Sequence, residues 1–419
     1  MVIAAIVRRS CIGDKECLPL TVRNPHLKGA SSETARDINR SLVLNTVRQS
    51  QPVSRADVSR LTGLQRSTVS LIVEQLIAER WVVEGGLVRL PRGRKPRLLM
   101  LNVEKAAIIG INIMPGRTAM MWADLNNRLH AQTSFVTART PGRLIATLAA
   151  RIRHIIEAHP ETTFEGIGVS LPGRVDKAGQ RLVFAPNLGW SDVDLKTPLE
   201  HATGLPVLLG NAADACALAE VWSGPHAGVQ DLSAVTVSEG IGTGIIANGQ
   251  LIRGTRGEAG EFGHMCLNPE GPECSCGSRG CWEVYASNRA AVLDYVRAVQ
   301  QRSGQPTSVA APVIEFSELI GLAAQGDALA IAALDRMAHW LGRGISVLVN
   351  GLAPAVVTVV GEVTRAWPRV GPIVEDAVAR YARVHTGTRI VPTDSEREPR
   401  LRGTVALVLQ KHFQTHTLS

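Results

Sequence analysis

The stretch EAGEFGHMCLNPEGPECSCGSRGCWE, residues 258–283, places His264, Cys274, Cys276 and Cys281 within eighteen residues, with Glu258, Glu261 and Glu283 on its flanks. Zinc takes four soft or borderline ligands in a tetrahedron, and one imidazole with three thiolates is the composition of a closed structural site. Such a set leaves no open position for a hydrolytic water, so the expected Zn2+ shapes a loop and performs no chemistry. Gly277 and Gly280 supply the tight turns that such clustering needs. The alternative for the same residues is a set of free buried thiols, or a disulfide between two of them. Cys266 reads as a small packed residue beside the cluster, and Cys11, Cys17 and Cys216 stand isolated. Seven cysteines in 419 residues, with MVIAAIV followed by Arg8 and Arg9 and no cleavage site, point to a reducing cytoplasm.

Around this cluster the chain has room for two or three compact units, with 45% apolar residues and aromatics at only 4%. No window holds the ~18 uncharged apolar residues of a membrane span, so no membrane insertion is expected. The formal net charge of +8 is concentrated: residues 36–100 hold twelve Lys/Arg against five Asp/Glu, while residues 101–419 are close to neutral. A basic block of this kind is the electrostatic footprint of phosphate-backbone contact, although a solvated basic surface has the same charge count.

Inside that block Ile38, Leu42, Val43, Leu44 and Val47 fall at helical spacing, and Pro52 ends the run. Ser54 and Asp57 form a capping pattern for a second helix whose buried side is Val58 and Leu61. After the turn Thr62-Gly63-Leu64, a third helix from Gln65 to about Glu79 buries Val69, Ile72, Val73, Leu76 and Ile77. Its N-terminal residues Gln65, Arg66, Ser67, Thr68 and Ser70 stand where a recognition helix meets base edges. Residues 81–83 and 87–90 flank Glu84-Gly85-Gly86 and read as a wing hairpin. Arg92, Arg94 and Lys95 follow in an extended, Gly/Pro-interrupted run, which reads as a minor-groove arm or as a flexible basic linker. The expected order is a tail over residues 1–35, a winged helix-turn-helix over 36–91 and a basic arm over 92–100.

From residue 101 strands alternate with helices, beginning with apolar runs at 107–114, 118–125 and 165–171, which predicts an α/β architecture. The third run leads into Pro172-Gly173-Arg174-Val175, and Ala185-Pro186-Asn187-Leu188-Gly189-Trp190 follows. With EFGH at 261–264 and the cysteine cluster, in this order behind a winged helix, these segments resemble the ROK family of repressors, open reading frames and sugar kinases, on its transcriptional-repressor branch. The resemblance covers the chain from about residue 36. It implies a two-lobed actin-like ATPase (ribonuclease H-like) fold, a sugar site between the lobes and a structural zinc beside it. The first lobe would span 101–210, with a C-terminal helix within 395–419 returning to it, and the second 211–394.

The same resemblance exposes departures from a kinase. Family kinases take their base from a Glu-Asn-Asp-Ala-Asn motif, and the matching stretch here is Gly210-Asn211-Ala212-Ala213-Asp214. Ala212 cannot accept a proton, and Asp214, two helical positions on, is expected to point about 200° away from it. Asn112-Ile113-Met114-Pro115-Gly116 replaces the Asp-x-Gly-Gly-Thr phosphate loop, with a methionine where backbone must approach phosphate. Val360-Gly361-Glu362 replaces a Gly-Gly pair, and only Gly240-Ile241-Gly242-Thr243-Gly244 is intact, a pattern that a hairpin also needs. No catalytic residue and no ATP turnover are expected. By resemblance, Asn211, Glu261, His264, Glu283 and Asn187 fall on sugar-binding positions, Asn187 alternatively capping a turn. His264 would give one ring nitrogen to zinc and the other to the sugar. Loss of the base also removes a sugar contact, which favours a pentose or a modified sugar over glucose.

The expected protein is a sugar-responsive, DNA-binding regulator, a repressor of carbohydrate uptake or catabolism genes. It would act as a homodimer or homotetramer on a double-stranded operator in the cytoplasm. The alternative is an active ATP-dependent sugar kinase with an accessory DNA-binding domain.

Overall fold

The computed structural model describes residues 32–87, 97–104, 106–176, 180–255, 257–303, 314–383, 387–394 and 397–413. At the N-terminal end α1 (Ser32–Ser50), β1 (Val53–Ser54), α2 (Arg55–Thr62), α3 (Arg66–Ala78), β2 (Val82–Leu87) and β3 (Arg97–Leu101) form a head. The Ser54 hydroxyl accepts the Asp57 backbone N–H at 3.2 Å and so starts α2, while Gly63, in the left-handed region at φ 73°, stops it. Val43, Leu44 and Val47 of α1 bury with Val58, Val69, Ile72, Val73 and Leu76. The short α2 buries only Val58. Leu61, expected on the same side, is 63% exposed because, among the described residues, no element covers that flank.

The wing also differs from its expected form. β2 continues through Glu84-Gly85-Gly86, with a shift of register between Gly85 and Leu87, and its antiparallel partner is β3, with Glu84 opposite Leu99. β1 pairs with the other edge of β3, giving the order β1-β3-β2. Residues 97–100, expected in the basic arm, are therefore strand. The reason lies in a two-residue period: Leu99 and Leu101 are buried, and Leu98 and Met100 between them are partly exposed. Glu84 accepts from Arg55 at 2.8 Å and from Arg97 at 3.0 Å, tying wing to helix, and the Arg97 hydrogen bond leads in holding its carboxyl below the usual range. Residues 1–31 and the run 88–96, with Arg92, Arg94 and Lys95, lie outside the described residues.

Next come β4 (Ala106–Ile113), β5 (Arg117–Asp124), β6 (Leu129–Val136), α4 (Pro141–Ala158), β7 (Thr163–Leu171), β8 (Arg174–Asp176), β9 (Arg181–Ala185), β10 (Trp190–Val193), α5 (Lys196–Thr203) and β11 (Val207–Asn211). The main sheet has the order β11-β7-β4-β5-β6. β7 runs parallel to both β4 and β11, and β5 runs antiparallel to both β4 and β6. Every residue of β4 is buried, which accounts for its unbroken apolar run: the strand is covered on both faces.

The second half holds α6 (Ala212–Trp222), β12 (Leu232–Val237), β13 (Ile241–Ala247), β14 (Gln250–Leu251), α7 (Glu283–Ala286), α8 (Asn288–Ser303), α9 (Phe316–Ala324), α10 (Ala328–Leu352), β15 (Val356–Val360), α11 (Trp367–Tyr381), β16 (Arg389–Pro392) and α12 (Pro399–Phe413). Its sheet has the order β14-β13-β12-β15-β16, with α10 and α11 on one face and α6 on the other. α12 packs on the first sheet, so the two lobes meet as sheet, α12, α6, sheet. Glycine permits that contact: a Cβ on Gly403 of α12 would lie 1.8 Å from the Ala215 carbonyl oxygen of α6. Among the described residues no single helix is long and apolar enough to cross a membrane.

Candidate functional site

The 258–283 stretch folds back on itself beyond the β12–β13 hairpin. Leu267 N–H donates to Gly280 O at 2.8 Å and Trp282 N–H to Met265 O at 2.9 Å, which brings His264 beside Cys281. A tight turn closes the other side, with Cys274 N–H donating to Ser278 O at 2.8 Å and Gly277 at φ 89°. The ligand atoms of His264, Cys274, Cys276 and Cys281 then all lie within 4.8 Å of one another. His264 Nδ1 is 3.6 Å from Cys274 Sγ, and the Cys276 and Cys281 sulfurs are 3.7 Å apart. A tetrahedral ion with ~2.3 Å bonds to sulfur sets its thiolates ~3.8 Å apart, so this donor set can hold a metal such as zinc. The sulfur separation is well beyond the ~2.05 Å of a disulfide. Cys266, expected to be packed, is exposed and outside the set, because its backbone bridges to Cys281 while its side chain faces solvent.

Two glutamates border this cluster. Glu283, the first residue of α7, accepts from the Cys274 thiol at 3.1 Å and sits 3.6 Å from His264 Nδ1. Glu261 lies 3.8 Å from the opposite nitrogen, Nε2. The imidazole thus presents one edge to the sulfurs and the other to Glu261. Burial pushes the Cys274 and Cys281 thiols up, with Glu283 adding to the effect at Cys274. A divalent cation among them would reverse that balance by stabilising the thiolates.

Asn211 caps α6: its side-chain oxygen accepts from Ala213 N–H at 2.7 Å, and its amide donates to Gly173 O at 2.6 Å. One N–H remains for a ligand. Glu261, His264 and Glu283 are brought together; Asn187 is exposed on the turn Pro186–Leu188, with no hydrogen bond to any of them. Asp214, expected to point about 200° away from Ala212, lies within electrostatic reach of both Arg253 and Glu261. Of these two, Arg253 also donates to the Gln410 side-chain oxygen of α12 at 3.0 Å. The signal available for this was an acid among the small apolar residues of the first two turns of α6.

Desolvation raises Asp214 from 3.8 to about 7, Arg253 opposing and Glu261 reinforcing the shift. The folded state therefore binds this proton more tightly than the unfolded chain, so the group's contribution to stability is present below pH 3.8 and lost as pH rises through about 7. Asp214→Asn is expected to flatten the decline in stability over that window, read from urea midpoints at a series of pH values. An unchanged pH profile would remove the assignment.

Asn112 is buried and, among the described residues, its side-chain oxygen has no hydrogen-bond partner, while the Met114 sulfur sits 3.4 Å from the Arg400 guanidinium. The intact glycine run has a structural account: β12 and β13 form an antiparallel hairpin, and a Cβ on Gly244 would lie 2.2 Å from Ala213 O. In the head, Gln65, Arg66 and Ser67 are exposed at the start of α3, and Thr68 and Ser70 are half-buried.

A sequence profile described as "ROK family" matches residues 108–411. A xylose repressor of Bacillus subtilis (strain 168) is 30% identical over 389 residues, covering 92% of this chain and 98% of that protein. Among solved structures, a ROK family transcriptional regulator described as a homologue of the E. coli MLC protein superposes with a TM-score of 0.78 at 23% identity, covering 91% of this chain and 97% of that one. A ROK glucokinase from Streptomyces griseus, in complex with glucose and AMPPNP, superposes with a TM-score of 0.62 at 28% identity, covering 71% of this chain and 98% of its own.

Proposed function

The chain belongs to the ROK family, and from that premise we propose that it is a sugar-responsive transcriptional repressor whose effector cleft descends from a kinase fold and no longer transfers phosphate. One observation carries the reading: similarity to a xylose repressor runs through 92% of the chain, whereas the glucokinase structure matches 71%. The share that separates the two is about the size of the basic head.

The chemistry agrees. Ala212 offers no base for a sugar hydroxyl, and Met114 stands in the stretch that matches the phosphate loop, its sulfur 3.4 Å from the Arg400 guanidinium. Asn211, Glu261, His264 and Glu283, with Asn187, make the sugar site, and the absent carboxylate at 212 favours a pentose such as xylose. His264, Cys274, Cys276 and Cys281 hold a structural zinc, which would crosslink the loop that carries His264 and precedes Glu283. Gln65, Arg66, Ser67, Thr68 and Ser70 address bases, and Arg92, Arg94 and Lys95 the adjoining groove. The protein acts in the cytoplasm as a homodimer or homotetramer on a double-stranded operator, its paired heads reading two half-sites.

The test is fluorescence anisotropy on promoter fragments of sugar-uptake genes, titrated with a sugar panel, beside an ATP-coupled assay. Expected are tight operator binding, weakened roughly 5- to 150-fold by xylose, and no phosphoryl transfer. Arg66→Ala should weaken every fragment. Brisk ATP consumption with any sugar, or no operator binding at all, would overturn the reading.

A further inference from the structure

The head meets the lobes at a half-buried aromatic junction built around a cation. Arg48, near the end of α1, lays its guanidinium 4.2 Å from the Trp222 ring centroid and 5.9 Å from that of Phe413. It also donates to the Trp222 carbonyl oxygen at 2.8 Å. Trp222 ends α6 and Phe413 ends α12, and their rings meet edge to face at 5.0 Å. Asn45, one turn before Arg48, donates to the Phe413 carbonyl oxygen, and Trp81 packs edge-on against the same ring at 6.1 Å.

Among the described residues, no carboxylate pairs with Arg48. Its charge is met by two aromatic faces, by the Asn45 side-chain oxygen at 3.4 Å and by the carbonyl end of α6, where the helix dipole favours a cation. Burial lowers its pKa only to about 10, so it stays charged at neutral pH. A desolvated charge held without a counterion is a poor device for stability alone, and its best attested use is to fix a register between parts.

The two helix ends beneath it belong to different lobes. α12 rests on the first sheet and α6 on the second. α6 starts at the Asn211 cap, a contact for the proposed effector, and ends ~16 Å away at Trp222, from eleven residues at 1.5 Å each. A change in cleft closure that moves one lobe against the other shifts the end of α6 relative to the end of α12, and Arg48 spans both. We infer that Arg48 is the positioning residue that transmits the relative setting of the two lobes to the DNA-binding head, through the Trp222 and Phe413 ends of α6 and α12. This rests on the repressor reading above, because it names the route by which that site acts.

The experiment compares full-length wild type with Arg48→Met, which keeps side-chain length and removes the charge and its hydrogen bond. Sugar affinity is measured by calorimetry, and operator affinity by anisotropy with and without saturating xylose. Arg48→Met is expected to hold xylose within about threefold of wild type, while the xylose effect on operator affinity falls to under about fivefold from a wild-type value of order a hundredfold. A purely structural role would change both affinities together and leave their ratio. A second readout uses wild type alone: xylose should change amide hydrogen exchange over residues 41–48 of α1. Arg48→Met with the full wild-type ratio, or α1 exchange indifferent to xylose, overturns the inference. If Arg48→Met does not fold, the exchange result decides. A wild type whose operator affinity ignores every sugar overturns the repressor reading and this inference together, whereas a responsive wild type with an equally responsive variant overturns this one alone.

Discussion

Cys281→Ser is expected to abolish binding of the proposed zinc and to weaken effector binding by roughly 10- to 100-fold, the range seen when groups that orient a metal site are removed. Cys281 is fully buried, its thiol 3.7 Å from Cys276 Sγ and 3.3 Å from the His264 carbonyl oxygen, so a hydroxyl there replaces a soft ligand at the centre of the set. Two residues later Glu283 opens α7, and His264 stands between Glu261 and the sulfurs. Losing the crosslink therefore frees three of the groups expected to grip the sugar. Metal content measured on protein purified without chelator, followed by xylose calorimetry, checks both halves. Cys266→Ser is the control, since that thiol is exposed and outside the set, and it should change neither value. A full equivalent of zinc on Cys281→Ser, or wild-type sugar affinity in its absence, would remove the proposed role of the cluster.

What could be read from the chain alone depended on how local the physics was. The cluster was legible because ligand type and turn glycines sit within one short stretch, and the close approach of His264, Cys274, Cys276 and Cys281 needs no distant partner. The three head helices were legible from spacing and from the Ser54 cap. The wing was not, because Glu84-Gly85-Gly86 carries turn chemistry while the pairing of β2 with β3 is decided across a nine-residue gap, by the burial of Leu99 and Leu101. Leu61 shows the same limit: periodicity assigns a face, but only neighbours decide whether the face is covered. Asp214 is the clearest case, since helix geometry turned it away from position 212 and only the tertiary fold put Arg253 and Glu261 opposite it. Cooperation between α6 and α12, and hence the Arg48 junction, joins residues up to 368 apart in sequence and leaves no local signature.

Trp282→Ala should cost about 3–5 kcal/mol of unfolding free energy, the usual consequence of emptying a fully buried indole site. Trp282 lies between Cys281 of the His/Cys cluster and Glu283, with its ring against α10: Nε1 donates to the Trp340 carbonyl oxygen at 3.0 Å, and a Cβ on Gly344 would fall 1.9 Å from the ring. Glycine at 344 is thus the seat of the indole, and Gly344→Ala should destabilise from the opposite side of the same contact. Urea titrations followed by circular dichroism measure both; a loss under about 1 kcal/mol for Trp282→Ala would mean that the site collapses around the gap and anchors little. The two anchors are separable. If metal alone positions Glu283, folded Trp282→Ala in excess zinc should bind xylose as wild type does. The geometry predicts otherwise, because a metal held by the cluster would fix the backbone only as far as Cys281, and the direction in which α7 leaves that residue is set by the indole lying on Gly344. Sugar affinity should therefore fall in Trp282→Ala with a full complement of zinc still bound, and fall less in Trp282→Phe, which keeps a ring on the same seat.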